Sequence, residues 1–473
     1  DKNVEKITLM GNENKNTIDT SWYSKTYNEF HIKTVAQLAG LAELVNQGNT
    51  FLSNIIYLDD NLDLNGIAWV PIGNHPSQYK NQYFSGIFNG QGHTIDNLTF
   101  FSSNSCCSSL FGNVYNGSIQ NIGIINTKID NTKNDMYGCL GILASIVENS
   151  FIANTYTTGS IVNKYQNMDC IGGIIGKCKG STKIIGCYSS VAINAESVNE
   201  KTSIGGIIGY WDNATKDNII SDCFFNGEIC CKHNCYIGGI LGFQSLKDMY
   251  GIKINNCFVS NTNITYNAPD KAAWITTTNN GVITNCYWPA NQKENKKEPL
   301  NVVNEVEDTT WHGIVKKETK TNQDIYGRPI ENFQDSQDKD ELVKYLNQNA
   351  NPNVSWESNP YIHFTFNQRL ADYTAVYAAI NKANSLNPKD YKSWTKVKEA
   401  IDKVQFGKHA MEQKSVDNMA TEIEDAINKL EYNYADYSMV DKAIEKAKQL
   451  NENDYINCET VKEALKNVNR QKN

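Results

Sequence analysis

Cys230, Cys231, His233 and Cys235 are the one grouping in this chain of 473 residues whose side chains have metal-ligand chemistry. Thiolate and imidazole are the donors zinc prefers. The spacing is not a Cys-x-x-Cys pair, however, and no second pair follows at zinc-finger distance. The segment also runs straight into an apolar Gly-Gly-Ile phrase. The reading favoured here is structural thiols with a solvent-facing His233, with no metal and no cofactor; a metal site is the weaker alternative. Cys106-Cys107, adjacent in a Ser-rich stretch, read as loop and core residues rather than a redox pair.

Carboxylates are the next candidates. A glycosidase needs two of them roughly 5–10 Å apart. Asp130, Asp135, Asp169, Asp222 and Glu228 lie in the repetitive part of the chain, but at different positions within the repeat. Asp222 occupies a corner position, where Asp is expected for backbone reasons alone. No His-Glu-x-x-His, no Gly-x-Ser-x-Gly and no phosphate-cradling glycine loop occurs, which excludes the common zinc-protease type. Aromatic residues remain. The chain holds 25 Tyr and 8 Trp, and these side chains offer sugars an apolar face with a polar tip. Tyr210 and Trp211, directly after a Gly-Gly-Ile-Ile-Gly phrase, and Trp274 are the binding candidates. The alternative is that they pack against the loop of the next coil.

A repeat must position all of these residues. Ser-Leu-Phe-Gly (109–112), Gly-Ile-Leu-Ala (141–144), Gly-Gly-Ile-Ile-Gly (172–176), Gly-Gly-Ile-Ile-Gly (205–209) and Gly-Gly-Ile-Leu-Gly (238–242) end at steps of 32 or 33 residues. A period of that size is one supersecondary unit that buries its apolar face only by stacking on its neighbours. A second register runs between these phrases. It reads Asn121-Ile122-Gly123, Asn154-Thr155-Tyr156, Gly186-Cys187-Tyr188, Asp222-Cys223-Phe224, Asn256-Cys257-Phe258 and Asn285-Cys286-Tyr287. Its first column holds residues that tolerate a left-handed corner. Its second is small to medium and mostly apolar, and its third becomes aromatic. Short β-branched runs follow, with no helical pattern between them. The expected fold is mainly β, a parallel β-solenoid with one Cys per coil stacked as a buried ladder.

These phrases, with Tyr236-Ile237-Gly238-Gly239-Ile240-Leu241-Gly242 as the clearest, resemble the GLUG-type repeats of bacterial cell-surface β-helix proteins. The opening text resembles that family too, in Thr34–Ala42, Ile56–Leu64, Trp69–Gly73 and Phe88–Ile95. The resemblance covers about residues 20–290 and implies a right-handed parallel β-helix on a secreted, surface-attached protein. That family is defined by its scaffold, so no activity carries over with it.

Residues 34–47 predict a short cap helix, with Thr34 as N-cap, Leu38, Leu41, Ala42 and Val45 as its apolar face, and Gly48 as its stop. Residues 291–325 read as a polar excursion. A C-terminal cap over about 326–367 is expected to close the far end of the solenoid. It would use a helix near Asp338–Asn347 and a strand around Trp356 and Pro360-Tyr361-Ile362-His363-Phe364. Near residue 368 the text changes to Ala, Lys, Glu and Leu at helical spacing, and charged residues rise from about one in six to about one in three. There Ala371-Asp372-Tyr373 recurs as Ala435-Asp436-Tyr437, and Val397-Lys398-Glu399-Ala400 as Val461-Lys462-Glu463-Ala464, both 64 residues later. These units resemble the FIVAR three-helix modules of Gram-positive surface proteins. The first spans about 368–433, and 434–473 supply only two helices of a second. Trp394 is expected to be core rather than a ligand platform.

The net charge of −8 and the absence of a dense basic patch exclude nucleic-acid binding of the ordinary kind. No apolar run approaches the roughly 18 residues of a membrane span. The sequence therefore points to a non-catalytic, secreted or cell-surface module, covalently part of a larger bacterial protein, that binds a glycan or glycoprotein. Two alternatives stay open: a glycoside hydrolase or polysaccharide lyase working in a groove of the solenoid, and a pure stalk.

Overall fold

The computed structural model describes residues 18–74, 81–100, 108–131, 138–164, 168–196, 198–259, 264–267, 271–278, 281–288, 336–358, 363–366, 371–406, 408, 413–433 and 436–468. Cys106-Cys107, Asp135, the 291–325 excursion and Pro360-Tyr361-Ile362 lie outside the described residues. Two compact units emerge, one drawn from Asp1–Ala371 and Gln405–Glu412, the other from Asp372–Val404 and Gln413–Asn473.

The first unit is a parallel β-solenoid of about six turns. Its widest sheet stacks nine strands in one path, from Glu29–Ile32 through Ile55–Leu58 and Ile87–Asn89 to Ile283–Thr284. Two five-stranded ladders complete the coil. One holds Gly138–Gly141, Met168–Gly172, Ser203–Gly205, Tyr236–Gly238 and Ala272–Ala273. The other holds Phe111–Tyr115, Ala144–Glu148, Ile175–Lys179, Ile208–Asp212 and Leu241–Gln244. Each Gly-Gly-Ile-Ile-Gly phrase is the bend between these two ladders rather than one continuous strand. A Cβ at Gly172, Gly205 or Gly238 would lie 1.8–1.9 Å from the carbonyl oxygen three residues on. That leaves room only for glycine. Register also corrects the period. Ala144 pairs with Phe111 and Ile175, so Ser145, not Ala144, stands level with Gly112 and Gly176.

The second register forms three continuous columns. Asn121, Asn154, Gly186, Asp222, Asn256 and Asn285 all take φ between 45° and 62°, turning the chain at the same corner of each coil. Asn121 donates through Nδ2 to Asn89 at 3.0 Å, and Asn154 to Asn121 at 2.9 Å. Next to them Cys187, Cys223, Cys257 and Cys286 are fully buried free thiols. Each Sγ donates to the carbonyl two residues earlier, at 3.2–3.6 Å. Thr155 does the same one coil before, at 3.0 Å. Burial pushes the Cys187 and Cys257 thiols well above their ordinary range. The third column stacks rings face to face: Tyr156–Tyr188 at 4.9 Å, Tyr188–Phe224 at 4.7 Å and Phe224–Phe258 at 4.9 Å. These are the strand spacing of a parallel sheet.

Helix α1 (Val35–Asn46) buries Leu38, Leu41, Ala42 and Val45 in the core at the N-terminal end. Thr34 Oγ1 accepts from Gln37 N–H at 3.2 Å, and Gly48 ends the run at φ 103°. At the other end the arrangement differs from the expected plug. Helix α2 (Ser336–Asn349) and the antiparallel pair Val354–Glu357 and His363–Phe366 lie on the flank, over the aromatic column. Leu342, Leu346, Val354 and Trp356 form one buried cluster with Phe151, Ile185, Phe224, Phe258 and Tyr287. The outward aromatic ladder supplies the apolar surface on which they pack. Phe366 sits where Gly186 lacks a side chain, since a Cβ there would fall 2.8 Å from its ring.

The second unit is helical. Helices α3 (Thr374–Asn384) and α4 (Thr395–Asp402) both pack on α5 (Gln413–Asn428), with Val376, Ala379, Ile380, Ala383, Val397, Val416, Ala420, Ile423 and Ile427 buried. Helices α6 (Ser438–Lys448) and α7 (Cys458–Lys466) bury no residue at all. They line an apolar groove of about 350 Å³ with Val440, Ala443, Ile444, Ala447, Val461 and Ala464 among its walls. Each of these is the 64-residue counterpart of Val376, Ala379, Ile380, Ala383, Val397 or Ala400.

Candidate functional site

Two outward columns face each other across the bend between the five-stranded ladders. On one ladder Cys139, Cys170, Ser203 and Tyr236 stand in register, with Lys271 one coil further. On the other the column is Ile146, Lys177, Tyr210 and Phe243. Between them lies a groove of about 510 Å³, lined by Lys177, Lys201, Lys271, Tyr210, Tyr236 and Phe243 together with Asp169 and Glu200. The Cys139–Cys170 disulfide, with Cα atoms 4.6 Å apart, forms part of its wall and ties two adjacent coils together.

The rings in this groove are ordered by their neighbours. Tyr210 and Phe243 stack at 6.0 Å with planes 10° apart, and Tyr236 meets Phe243 at 4.4 Å. Lys177 Nζ lies 5.1 Å from the Tyr210 centroid and Lys271 Nζ 4.9 Å from that of Tyr236. Lys177 also pairs with Asp212 at 3.4 Å. Lys271 Nζ donates to the carbonyl oxygens of Glu200 and Asn234, both at 3.4 Å. Burial raises the Tyr210 hydroxyl above its ordinary range, and Asp212 and Asp248 add to that while a Ser245 hydrogen bond opposes it. The hydroxyl is therefore protonated at neutral pH and can donate.

Of the three aromatic candidates, Tyr210 alone reaches this groove. Trp211 is fully buried, pointing inward in the column of Val147 and Cys178, and its indole N–H has no acceptor among the described residues. Trp274 is 6% exposed and belongs to the core, because it takes the bend position that Gly239 holds one coil earlier. Trp394 is half-buried and packs on Tyr391. Residues 230–235 are placed as follows. Cys231 and Cys235 are joined to each other, Cys230 is half-buried on the opposite side of its strand, and His233 Nε2 is 2.7 Å from the carbonyl oxygen of Glu196. Among the described residues, no three His, Cys, Asp or Glu side chains are placed to hold a metal ion.

Of the candidate acids Asp169 lines the groove with Glu200, whereas Asp130, Glu228 and Asp222 stand apart from one another. Asp130 stands in the column of Val162, Asn194 and Cys230, while Glu228 stands in that of Ala192, Ser160 and Lys128. Asp222 is fully buried. It accepts from Ser221 Oγ at 2.6 Å, Asn256 Nδ2 at 2.6 Å, Asn351 N–H at 2.9 Å and Trp356 Nε1 at 3.1 Å. Burial still pushes its carboxyl above the usual range, and the donors only partly offset that. It anchors the flank segment and faces no groove.

Lys177, Tyr236, Phe243 and Lys271 were not singled out from sequence. The signal was present: adding 33 to Lys177 gives Tyr210 and then Phe243, and adding 33 to Cys170 gives Ser203 and then Tyr236.

No protein-family model matches the chain. A stretch of 113 residues is 34% identical to halomucin of Haloquadratum walsbyi, covering 24% of this chain and 1% of that protein. The chain thus spans about 1% of the length of the curated relative it matches. A crystal structure from Bacteroides ovatus, provisionally assigned as an immunoglobulin A1 protease, aligns at a TM-score of 0.48 and 19% identity over 72% of this chain and 93% of that one. A structure of an IgA1 protease aligns at 0.39 and 17%, over 54% of this chain and 20% of its own. At these values neither structural likeness bears on activity.

Proposed function

We propose that this chain is a recognition module of a larger secreted or cell-surface bacterial protein, and that it binds a glycan or glycoprotein in the groove beside Tyr210. The solenoid would be of the GLUG type, and the helical unit a FIVAR-type spacer. The observation that carries the reading is the groove itself: three aromatic side chains and three lysines converge on one surface of an otherwise regular scaffold. Concave sites with a few convergent polar groups are where proteins hold small ligands. Among the described residues no helix is long and apolar enough to cross a membrane.

The carboxylates of Asp169 and Glu200, which both line the groove, make hydrolysis the competing reading. One experiment addresses both. The chain is incubated with mucin, host glycoproteins and plant or bacterial polysaccharides, and bound protein and released products are measured together by mass spectrometry. Retention without products, lost in Tyr210→Ala and Phe243→Ala, supports recognition. Released oligosaccharides overturn it, and no retention on any glycan leaves the stalk.

A further inference from the structure

We propose that the groove selects acidic saccharides, those bearing carboxylate or sulfate groups, over neutral ones; this deepens the recognition reading and rests on it. The argument starts from which parts of the rings are free. A neutral sugar stacks on an open aromatic face. Both faces of Tyr210 have a neighbour, the Lys177 ammonium 5.1 Å from its centroid and the near-parallel Phe243 ring 6.0 Å away, so a sugar would have to compete for either. One face of Tyr236 lies under Lys271, and the ring leans against Phe243. What such a column turns toward the groove is ring edge and ammonium. Ring edges carry the positive part of the aromatic quadrupole, so both kinds of group favour an anion.

The charge count at the groove is balanced, three lysines against three carboxylates in a chain that carries −8 overall, so what favours an anion is where the ammonium groups sit. Lys177, Lys201 and Lys271 line the groove against Asp169 and Glu200, with Asp212 paired to Lys177 from the side. The ammonium groups of Lys177 and Lys271 lie over rings, and that of Lys271 also donates to two backbone carbonyls, so both are already placed before a ligand arrives. Little rotamer freedom is then lost on binding. Successive coils repeat the column at about the 4.8 Å spacing of paired strands, so the groove runs along the solenoid axis. That direction suits an extended acidic polysaccharide better than a compact branched sugar.

The test is titration calorimetry of the full chain against polygalacturonate, dextran sulfate, neutral dextran and single-stranded oligothymidylate. The first two separate carboxylate from sulfate, and the last is a polyanion without the sugar chemistry proposed. Expected is binding of one or both acidic polysaccharides, weakened as salt is raised from about 50 to about 500 mM, with dextran silent and oligothymidylate weaker. Lys177→Gln with Lys271→Gln should lower the affinity about tenfold or more per lysine, with an unchanged melting temperature. Dextran binding as tight as its sulfated form would overturn the proposal, as would acidic binding indifferent to the lysine pair or equal binding of oligothymidylate. Tyr210-dependent retention of a neutral glycan would overturn this inference and leave the recognition reading standing. Retention of no glycan at all would remove both.

Discussion

Asp222 offers the sharpest test of how the flank is held. In Asp222→Ala four donors lose their acceptor: the Trp356 indole N–H, the Asn351 backbone N–H, the Ser221 hydroxyl and one Asn256 amide N–H. An unsatisfied buried donor costs about 1–3 kcal/mol. Removing a buried carboxylate returns some of its desolvation cost, so the net loss is about 3–5 kcal/mol. Ala at a φ of 55° adds about 1 kcal/mol of strain. The backbone hydrogen bonds of the solenoid do not run through this side chain, and of its partners only Ser221 and Asn256 belong to the coils, so the loss should appear mainly in the flank segment. By hydrogen-exchange mass spectrometry, α2 and Val354–Glu357 should lose protection by at least about 10²-fold. The strands Ser203–Gly205 and Ile208–Asp212 should keep theirs. If protection of α2 stays within about threefold of the parent, Asp222 is not what fastens the segment, and the apolar cluster around Trp356 holds it unaided.

The same carboxyl sets a pH dependence. Its folded value is raised, so its contribution is fully present below the unfolded value of about 3.8 and is lost as pH rises through the folded one. Exchange of α2 followed from pH 4 to 7 should show this slope, and Asp222→Asn should flatten it. Trp211→Ala should cost about 3–5 kcal/mol as a core cavity and lower the melting temperature, whereas Tyr210→Ala should leave melting nearly unchanged and affect only ligand retention. Breaking the Cys139–Cys170 link, which closes a loop of 31 residues, should cost up to about 4 kcal/mol in reducing conditions or in the double Ser variant, read by denaturant titration. Deleting 434–473 should leave the melting temperature of the rest unchanged, because α6 and α7 bury no residue; a large drop would refute that.

How much of this fold the sequence reveals follows from where the repeat is strict. The corner column is legible because its backbone needs φ near 50°, and only Asn, Asp and Gly meet that need cheaply. The thiol and aromatic columns follow from it by counting. The cap helix is legible because Thr34, the Leu38–Val45 face and Gly48 are local signals. The seat of Ser336–Phe366 is not local. It depends on Phe151, Ile185, Phe224 and Phe258 being left outside by the pleat, together with the gap at Gly186. No property of residues 336–366 read alone distinguishes a flank from an end.

Tyr210 and Trp211 show how the site itself could be misread and then recovered. Strict alternation from the buried Ile208 would turn Tyr210 inward and Trp211 outward. The backbone shifts phase at Gly209, as it does at Gly176, and the structure does the reverse. The bend glycine hides this from any reading along one strand. Reading down the stack restores it, because every coil must repeat the phase of its neighbour for the ladder bonds to form. Lys177 and Lys179 flank Cys178, and two lysines cannot both face an apolar core while the cysteine faces water. Their register partners are Tyr210, Asp212 and Trp211. Tyr210 must then point out with Lys177, and Trp211 in with Cys178. In a solenoid the residue that decides a side chain's direction is the one a full period away, so candidate sites are found by columns, where Lys177, Tyr210 and Phe243 already form a single word.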